Sequence, residues 1–115
     1  MTGPADRPAS SPPPEWTMTS TREGNAVRVS VGGDLDLATA PQLDAALREI
    51  ETTSSTVILD LRGLTFMDSS GINLLVRHAE SARSDGFALS IIPPNPTVAR
   101  VLDITRVRQH LPLVE

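Results

Sequence analysis

Two adjacent serines, Ser69 and Ser70, follow Asp68 in the run FMDSSG at 66–71. The run separates a largely apolar stretch at 57–61, typical of a buried strand, from an amphipathic helical pattern. Aspartate and serine oxygens can cap the free N–H groups of a helix start. Because the helix dipole favours negative charge there, a phosphate on either serine is tolerated. The turn is therefore either a plain helix cap or a phosphorylation site.

A serine beside an aspartate also suggests a nucleophile, which needs a positioned base. The chain has two histidines, His78 and His110. His78 lies two helical turns beyond Ser70 and would have to reach back along its own helix, so we expect it at the surface or boundary. His110 lies in a short polar stretch and is expected to face solvent. We predict no catalytic residues and no enzymatic activity.

Metal and nucleotide sites find no support in the residue pattern. Two isolated histidines and scattered carboxylates lack the spacing of zinc sites or calcium loops. Asp34 and Asp36 lie on one side of an extended segment and offer two carboxylates for weak binding of a hard cation, but solvated loop carboxylates are the more common explanation. The chain also lacks a Gly-rich phosphate-binding loop. We predict no metal and no cofactor.

Composition narrows the remaining classes of function. The net charge is −4, tyrosine is absent, and three aromatic residues occur in all, which argues against a nucleic-acid partner. The absence of cysteine excludes disulfides and thiolate sites and is compatible with a reducing compartment. The N-terminus does not resemble a signal peptide, and no apolar run approaches the roughly 20 residues needed to cross a bilayer. We expect a soluble cytoplasmic protein without a membrane partner.

The pattern predicts a Pro- and Ser-rich disordered tail over 1–14 and one domain over 15–115. Strands and helices alternate along that domain, so the fold class is α/β, with a mixed sheet of four to five strands packed with helices. Strands are predicted from near Trp16, at 27–31, where valines alternate with polar residues, at 57–61, at 88–92, and in a short segment including Leu111 and Leu113. Helices are predicted after Thr39 as a cap, with an apolar face at 43–50, from Ser69 or Ser70 to about Ser84, where Asp85 and Gly86 end the helix, and after Asn95 as a cap.

Three motifs occur in order, with a helix or strand between each: GDLD at 33–36, FMDSSG at 66–71 and NPTVARVLDI at 95–104. Together they resemble the STAS domain family, and specifically the bacterial anti-sigma factor antagonists. The resemblance covers roughly residues 16–115, and the middle motif is its most specific part.

The resemblance implies an antagonist that, when unphosphorylated, binds an anti-sigma factor that is also a serine kinase, and so releases a sigma factor. Phosphorylation ends that binding and a serine phosphatase restores it; ATP and magnesium belong to the kinase. The first serine of the motif, Ser69, takes the phosphate, with Ser70 as the fallback. Residues 95–104 match a second partner-facing region. The implied partner-binding residues are Asp34, Leu35, Asp36, Asp68, Ser69, Ser70, Gly71 and Asn73.

Asn73 departs from the family pattern, which often has a second glycine there. It can enlarge the helix surface or add a hydrogen bond, and so alter partner choice. The chain is expected to be a monomer or weak dimer. The alternative function is a STAS docking subunit of a larger sensory or lipid-transport complex, in which the serine is never modified.

Overall fold

A computed structural model describes residues 16–114 of the chain, so the predicted tail at 1–14 lies outside the described residues. Four strands, three α-helices and one short 3₁₀ turn follow one another. The strands are β1 (Thr17–Glu23), β2 (Ala26–Leu35), β3 (Thr56–Met67) and β4 (Ala88–Ile92). The helices are α1 (Ala40–Thr53), α2 (Ser69–Asp85) and α3 (Pro96–Ile104), and Arg108–His110 form the 3₁₀ turn.

The sheet is mixed and its strands lie in sequence order, β1-β2-β3-β4. β1 and β2 form an antiparallel hairpin, whereas β2-β3 and β3-β4 pair in parallel. The hairpin turn at Gly24 and Asn25 is tight because Gly24 adopts a positive φ of 65°, which residues with a Cβ adopt at a cost. The predicted α/β class and mixed sheet are confirmed.

One hydrophobic core joins the sheet to the helices. Alternate residues of β2 are buried, as the predicted period of two requires. Leu43 and Leu47 of α1 and Leu75 of α2 are fully buried against the strands. This packing fixes the ends of the strands and helices that carry the motifs.

β2 and β3 are both longer than predicted, since β2 runs to Leu35 and not only to residue 31. β3 continues beyond the apolar stretch at 57–61 to Met67, because β2 pairs with it along that length, from Gly33 beside Leu64 to Leu35 beside Met67. Two register shifts in this pairing, each with one additional residue on the β3 side, accommodate the continuation. The predicted strand end was wrong because the extra pairing depends on a partner strand, which the local pattern of Thr, Gly and Phe does not reveal.

Two helix ends follow the sequence prediction and one does not. The Asn95 side chain accepts a hydrogen bond from Val98 N at 3.1 Å and caps α3, and Gly86, at φ 83°, ends α2. Thr39 precedes α1 as predicted, but its side chain makes no capping hydrogen bond. The Thr39 hydroxyl instead donates to Asp34 O at 2.6 Å and accepts from Asp36 N at 2.9 Å.

The C-terminal segment and His78 also differ from expectation. Leu113 forms an isolated bridge with Ile91 and is not part of a fifth strand. His78 is 4% exposed and therefore buried, not a surface or boundary residue. Carboxylates from α1 that the local sequence does not bring near it satisfy its ring nitrogens. His110 is exposed, as predicted.

Within residues 16–114, no helix is both long enough and apolar enough to span a bilayer.

Candidate functional site

The candidate site forms where β2 and β3 end side by side. Leu35 and Met67 are neighbours in the parallel pair, so the segments that follow them leave the sheet together. The backbone N–H of Asp68 donates to Leu35 O at 3.2 Å, and this hydrogen bond joins the ends of the two strands. The first and second sequence motifs therefore meet at one edge of the sheet, although about thirty residues separate them.

Asp68 is the cap of α2. Its Oδ1 accepts a hydrogen bond from Ser70 N at 2.8 Å, and its carbonyl accepts from Gly71 N at 3.1 Å. The aspartate, not a serine hydroxyl, therefore satisfies one of the free N–H groups of the first helical turn, that of Ser70. Ser69 is the first residue of α2 and is exposed, whereas Ser70 is half-buried. The Ser69 hydroxyl has no hydrogen-bond partner among residues 16–114 and is available for modification.

The acidic loop, here the segment from Asp34 at the end of β2 to Thr39 before α1, is held by its own hydrogen bonds. The Asp36 Oδ1 accepts from Ala38 N at 2.9 Å and from Thr39 N at 3.1 Å. The Thr65 hydroxyl donates to Asp34 Oδ1 at 3.0 Å and links the loop to β3. The carboxylates of Asp34 and Asp36 are thus fixed at the sheet edge from which α2 begins, and the edge carries local negative charge.

Two of the predicted partner-binding residues lie beneath the surface. Leu35 is fully buried and Gly71 is buried against it. A Cβ on Gly71 would lie 2.8 Å from Leu35 Cγ and 2.8 Å from Met67 Cγ. In this conformation their side-chain positions face the core, so Leu35 and Gly71 act by seating α2 close to the ends of the strands.

Exposed apolar side chains flank the acidic loop, and the prediction of partner-binding residues did not include them. Leu37 is 77% exposed, and Phe66, the register neighbour of Asp34, is 49% exposed. Leu37 also borders a groove of about 340 Å³ that Ser70 and Asn73 line on α2. Large apolar residues directly beside acidic loop residues are the sequence feature that would have found them.

The third motif is tied to the same part of the fold. The Asn95 Nδ2 donates to Leu64 O at 3.0 Å and so attaches the start of α3 to β3. Val98 and Leu102 of this helix are buried, whereas Ile104 is 72% exposed. The segment 95–104 therefore has a packing face and an outward one.

The site offers an exposed hydroxyl, carboxylates and apolar side chains, and this combination suits protein recognition. The described residues 16–114 contain no cluster of three or more potential metal ligands. His78 has both ring nitrogens engaged by Asp44 and Glu51 on α1, so it is not positioned as a base for Ser69.

Comparison with known proteins gives the family. A family model described as "Mlab, STAS domain" matches residues 18–115. The anti-sigma-B factor antagonist of Staphylococcus aureus (strain NCTC 8325 / PS 47) is 26% identical over 90 residues, which cover 77% of this chain and 83% of that protein. The anti-sigma F factor antagonist of Paenibacillus polymyxa is 28% identical over 91 residues, 76% of each chain.

Solved structures share the fold. An anti-sigma factor antagonist from Mycobacterium paratuberculosis matches with a TM-score of 0.75 and 23% identity, over 86% of this chain and 85% of that one. The antagonist SpoIIAA in its unphosphorylated form matches with a TM-score of 0.70 and 22% identity, over 86% and 89% of the two chains. The Bacillus cell fate determinant SpoIIAA in its phosphorylated form matches with a TM-score of 0.64 and 19% identity, over 88% of this chain and 92% of that one. This chain belongs to the STAS domain family.

Proposed function

We propose that this chain is an anti-sigma factor antagonist controlled by phosphorylation of Ser69. In the unphosphorylated state its surface around Ser69 binds an anti-sigma factor that is also a serine kinase, and a sigma factor is released in the cytoplasm. The kinase brings ATP and magnesium, and a serine phosphatase reverses the modification. The chain itself carries no catalytic function.

The exposed hydroxyl of Ser69 at the first position of α2 carries this proposal. A kinase must reach the hydroxyl from solvent, and Ser69 meets that requirement better than half-buried Ser70. The Ser70 backbone N–H is also engaged by the Asp68 cap. The named relatives support the role, since they are antagonists of anti-sigma factors, and SpoIIAA is known in phosphorylated and unphosphorylated forms.

Charge explains how one phosphate can end binding without unfolding the domain. A phosphoserine adds about −1.5 to −2 charges at neutral pH. The dipole of α2 offsets roughly 0.3–1 kcal/mol of the repulsion from the acidic loop, so the folded state is retained. At a desolvated interface, a phosphate facing unpaired or like charge costs several kcal/mol. A cost of about 4 kcal/mol weakens binding roughly a thousandfold.

The test is a binding and phosphorylation assay with ATP-dependent anti-sigma kinases from the same genome. We expect Ser69→Ala to bind the cognate kinase without being phosphorylated and Ser69→Asp to bind it poorly. Mass spectrometry of the wild-type chain should place the phosphate on Ser69. Ser84→Ala and Ser84→Asp are the matched controls, because Ser84 is also exposed on α2 but lies at its other end.

Full affinity of Ser69→Asp for the kinase would overturn the electrostatic block. Phosphate found on Ser70 would move the site by one residue. The alternative, a permanent docking subunit of a larger complex, has support in the exposed Leu37 and Phe66, which suit a lasting apolar contact. Stable binding to a non-kinase subunit, with Ser69 never modified, would favour that alternative.

A further inference from the structure

His78 is buried on α2 with a carboxylate at each ring nitrogen. Its Nδ1 lies 2.6 Å from Glu51 Oε2 and its Nε2 lies 2.7 Å from Asp44 Oδ1. Both carboxylates belong to α1, seven positions apart and therefore two turns apart on one face. The imidazole bridges these two turns and joins α1 to α2.

The protonation state of the ring follows from the two contacts. A neutral imidazole has one N–H donor and one nitrogen lone pair, whereas the imidazolium donates from both nitrogens. With both carboxylates ionised, a neutral ring would direct its lone pair at one of them. Only the imidazolium satisfies both contacts.

We propose that His78 is held as an imidazolium that clamps α2 to α1, so that the stability of the helix pair depends on this proton. Asp44 and Arg77 also border the groove that Ser70 and Asn73 line, but the clamp does not depend on the function proposed above.

The arginines near the ring offset the negative charge of Asp44 but not that of Glu51. Arg48 Nε lies 2.8 Å from Asp44 Oδ2, and Arg77 lies 3.7 Å from Asp44 Oδ1. In the part of the chain that the structure describes, Glu51 has no cation other than His78 within salt-bridge distance. The Glu51 side chain is 11% exposed, so solvent compensates little of its charge.

Two further features agree with a structural clamp. Burial raises the pKa of Asp44, but hydrogen bonds from His78 and Arg48 outweigh that effect and hold it below its ordinary value. The two carboxylates lie at opposite nitrogens of the ring, so the three side chains do not converge on one point as metal ligands must. Asp85, the remaining charged residue of the adjoining cavity, adds negative charge to its wall.

The direction of the pH dependence follows. Below the ordinary titration of an unfolded histidine, about pH 6.5, both states hold the proton. Above that pH an unfolded chain releases the proton that the clamp requires, so folding of the wild type should become less favourable as the pH rises. On the acid side, the contribution of Asp44 is present above its ordinary pKa of 3.8 and is lost as the pH falls through its lowered folded-state pKa.

The ring ¹⁵N chemical shifts of His78 in the wild-type chain report directly whether each ring nitrogen carries a proton. At neutral pH, where an exposed imidazole is largely neutral, both His78 nitrogens should carry a proton. Exposed His110 is the internal reference. One unprotonated His78 nitrogen at neutral pH, with the proton on a carboxyl instead, would overturn the proposal.

Urea unfolding from about pH 6 to 9 provides the second measurement. The wild type should lose stability across this range, and His78→Gln should lack the slope. His110→Gln is the matched control and should keep it. Identical pH profiles of wild type and His78→Gln would contradict the clamp; should His78→Gln fail to fold, the wild-type ring shifts alone decide.

Discussion

At the residue scale, the close approach of Gly71 to the side chains of Leu35 and Met67 holds the candidate site in place. Leu35 is fully buried beneath the first turn of α2, and a Cβ at residue 71 would lie 2.8 Å from its Cγ and Cδ2. Atoms of a fully packed Leu35 have little room to move. The exposure of Ser69 therefore depends on a residue that does not itself face a partner.

Gly71→Ala should destabilise the domain by about 1–2 kcal/mol. Overpacking costs about 1–3 kcal/mol, and the better helix propensity of alanine returns up to about 1 kcal/mol. The free energy of unfolding in urea measures the change. Asn73→Ala, at an exposed position of the same helix, is the control and should shift stability by less than about 0.5 kcal/mol. If Gly71→Ala were as stable as wild type, the side chains at the strand ends would have to move to accommodate the added methyl group.

Asp60 is a second residue whose environment sets its chemistry. Arg62 donates from Nε to Asp60 Oδ1 at 3.0 Å and from a terminal nitrogen to Oδ2 at 2.7 Å. These hydrogen bonds hold the pKa of Asp60 below its ordinary value, although burial of the carboxylate opposes the shift. Its ionised form therefore stabilises the folded state above the ordinary value of 3.8, and this contribution is lost as the pH falls through the lowered pKa.

Arg62→Ala should raise the pKa of Asp60, because burial is then opposed only by Arg28 and by the backbone N–H of residue 62. A carboxyl ¹³C titration measures that pKa. The variant should be less stable than wild type near neutral pH, and the difference should vanish on acidification below the folded-state pKa. Arg108→Ala, which removes an exposed pair with Asp103, should show no such pH dependence. A pKa of Asp60 that does not change would refute this account.

At the element scale, one side chain starts α2 and also lies beside Ser69, the proposed phosphorylation site. The Asp68 carboxylate accepts from Ser70 N at 2.8 Å, so it stabilises the helix whether or not a partner is present. Loss of binding in a variant at this position therefore has two possible origins, the cap and the charge.

The variants Asp68→Ala and Asp68→Asn separate these origins. Asp68→Ala should cost about 0.5–2 kcal/mol of unfolding free energy, because a helix N–H loses its acceptor. Asp68→Asn should keep stability within about 0.5 kcal/mol, since asparagine caps as well as aspartate, while removing the charge. Thermal and urea unfolding measure both. Equal losses in the two variants would show that the charge, not the cap, stabilises α2.

At the scale of the whole molecule, the switch is expected to act at the surface without refolding. Ser69→Asp should leave the free energy of unfolding within about 0.5 kcal/mol of wild type, because residue 69 is exposed and lies at the favourable end of the α2 dipole. Urea unfolding and backbone amide chemical shifts measure this. Shifts that spread through β1 or β4 would indicate a conformational switch instead.

The sequence predicted those elements whose pattern is local. Alternating valines marked β2, the apolar stripe marked α1, and Asn95 and Gly86 marked helix ends, because each pattern repeats or stops within a few residues. The structure brings the motif residues at 33–36 and 66–71 together at one edge of the sheet. That Ser69 carries the phosphate stays a prediction.

The sequence by itself determined the fold class, most element boundaries and the position of a serine pair at the start of a helix, since periodicity and capping are short-range properties. Only the tertiary structure decided that β3 continues to Met67, that Leu35 faces the core, and that His78 is buried. Those outcomes depend on partners distant along the chain, as with the 34 and 27 positions that separate His78 from Asp44 and Glu51. Contacts of that kind are created when the helices pack, so the residues beside His78 in the chain do not reveal them.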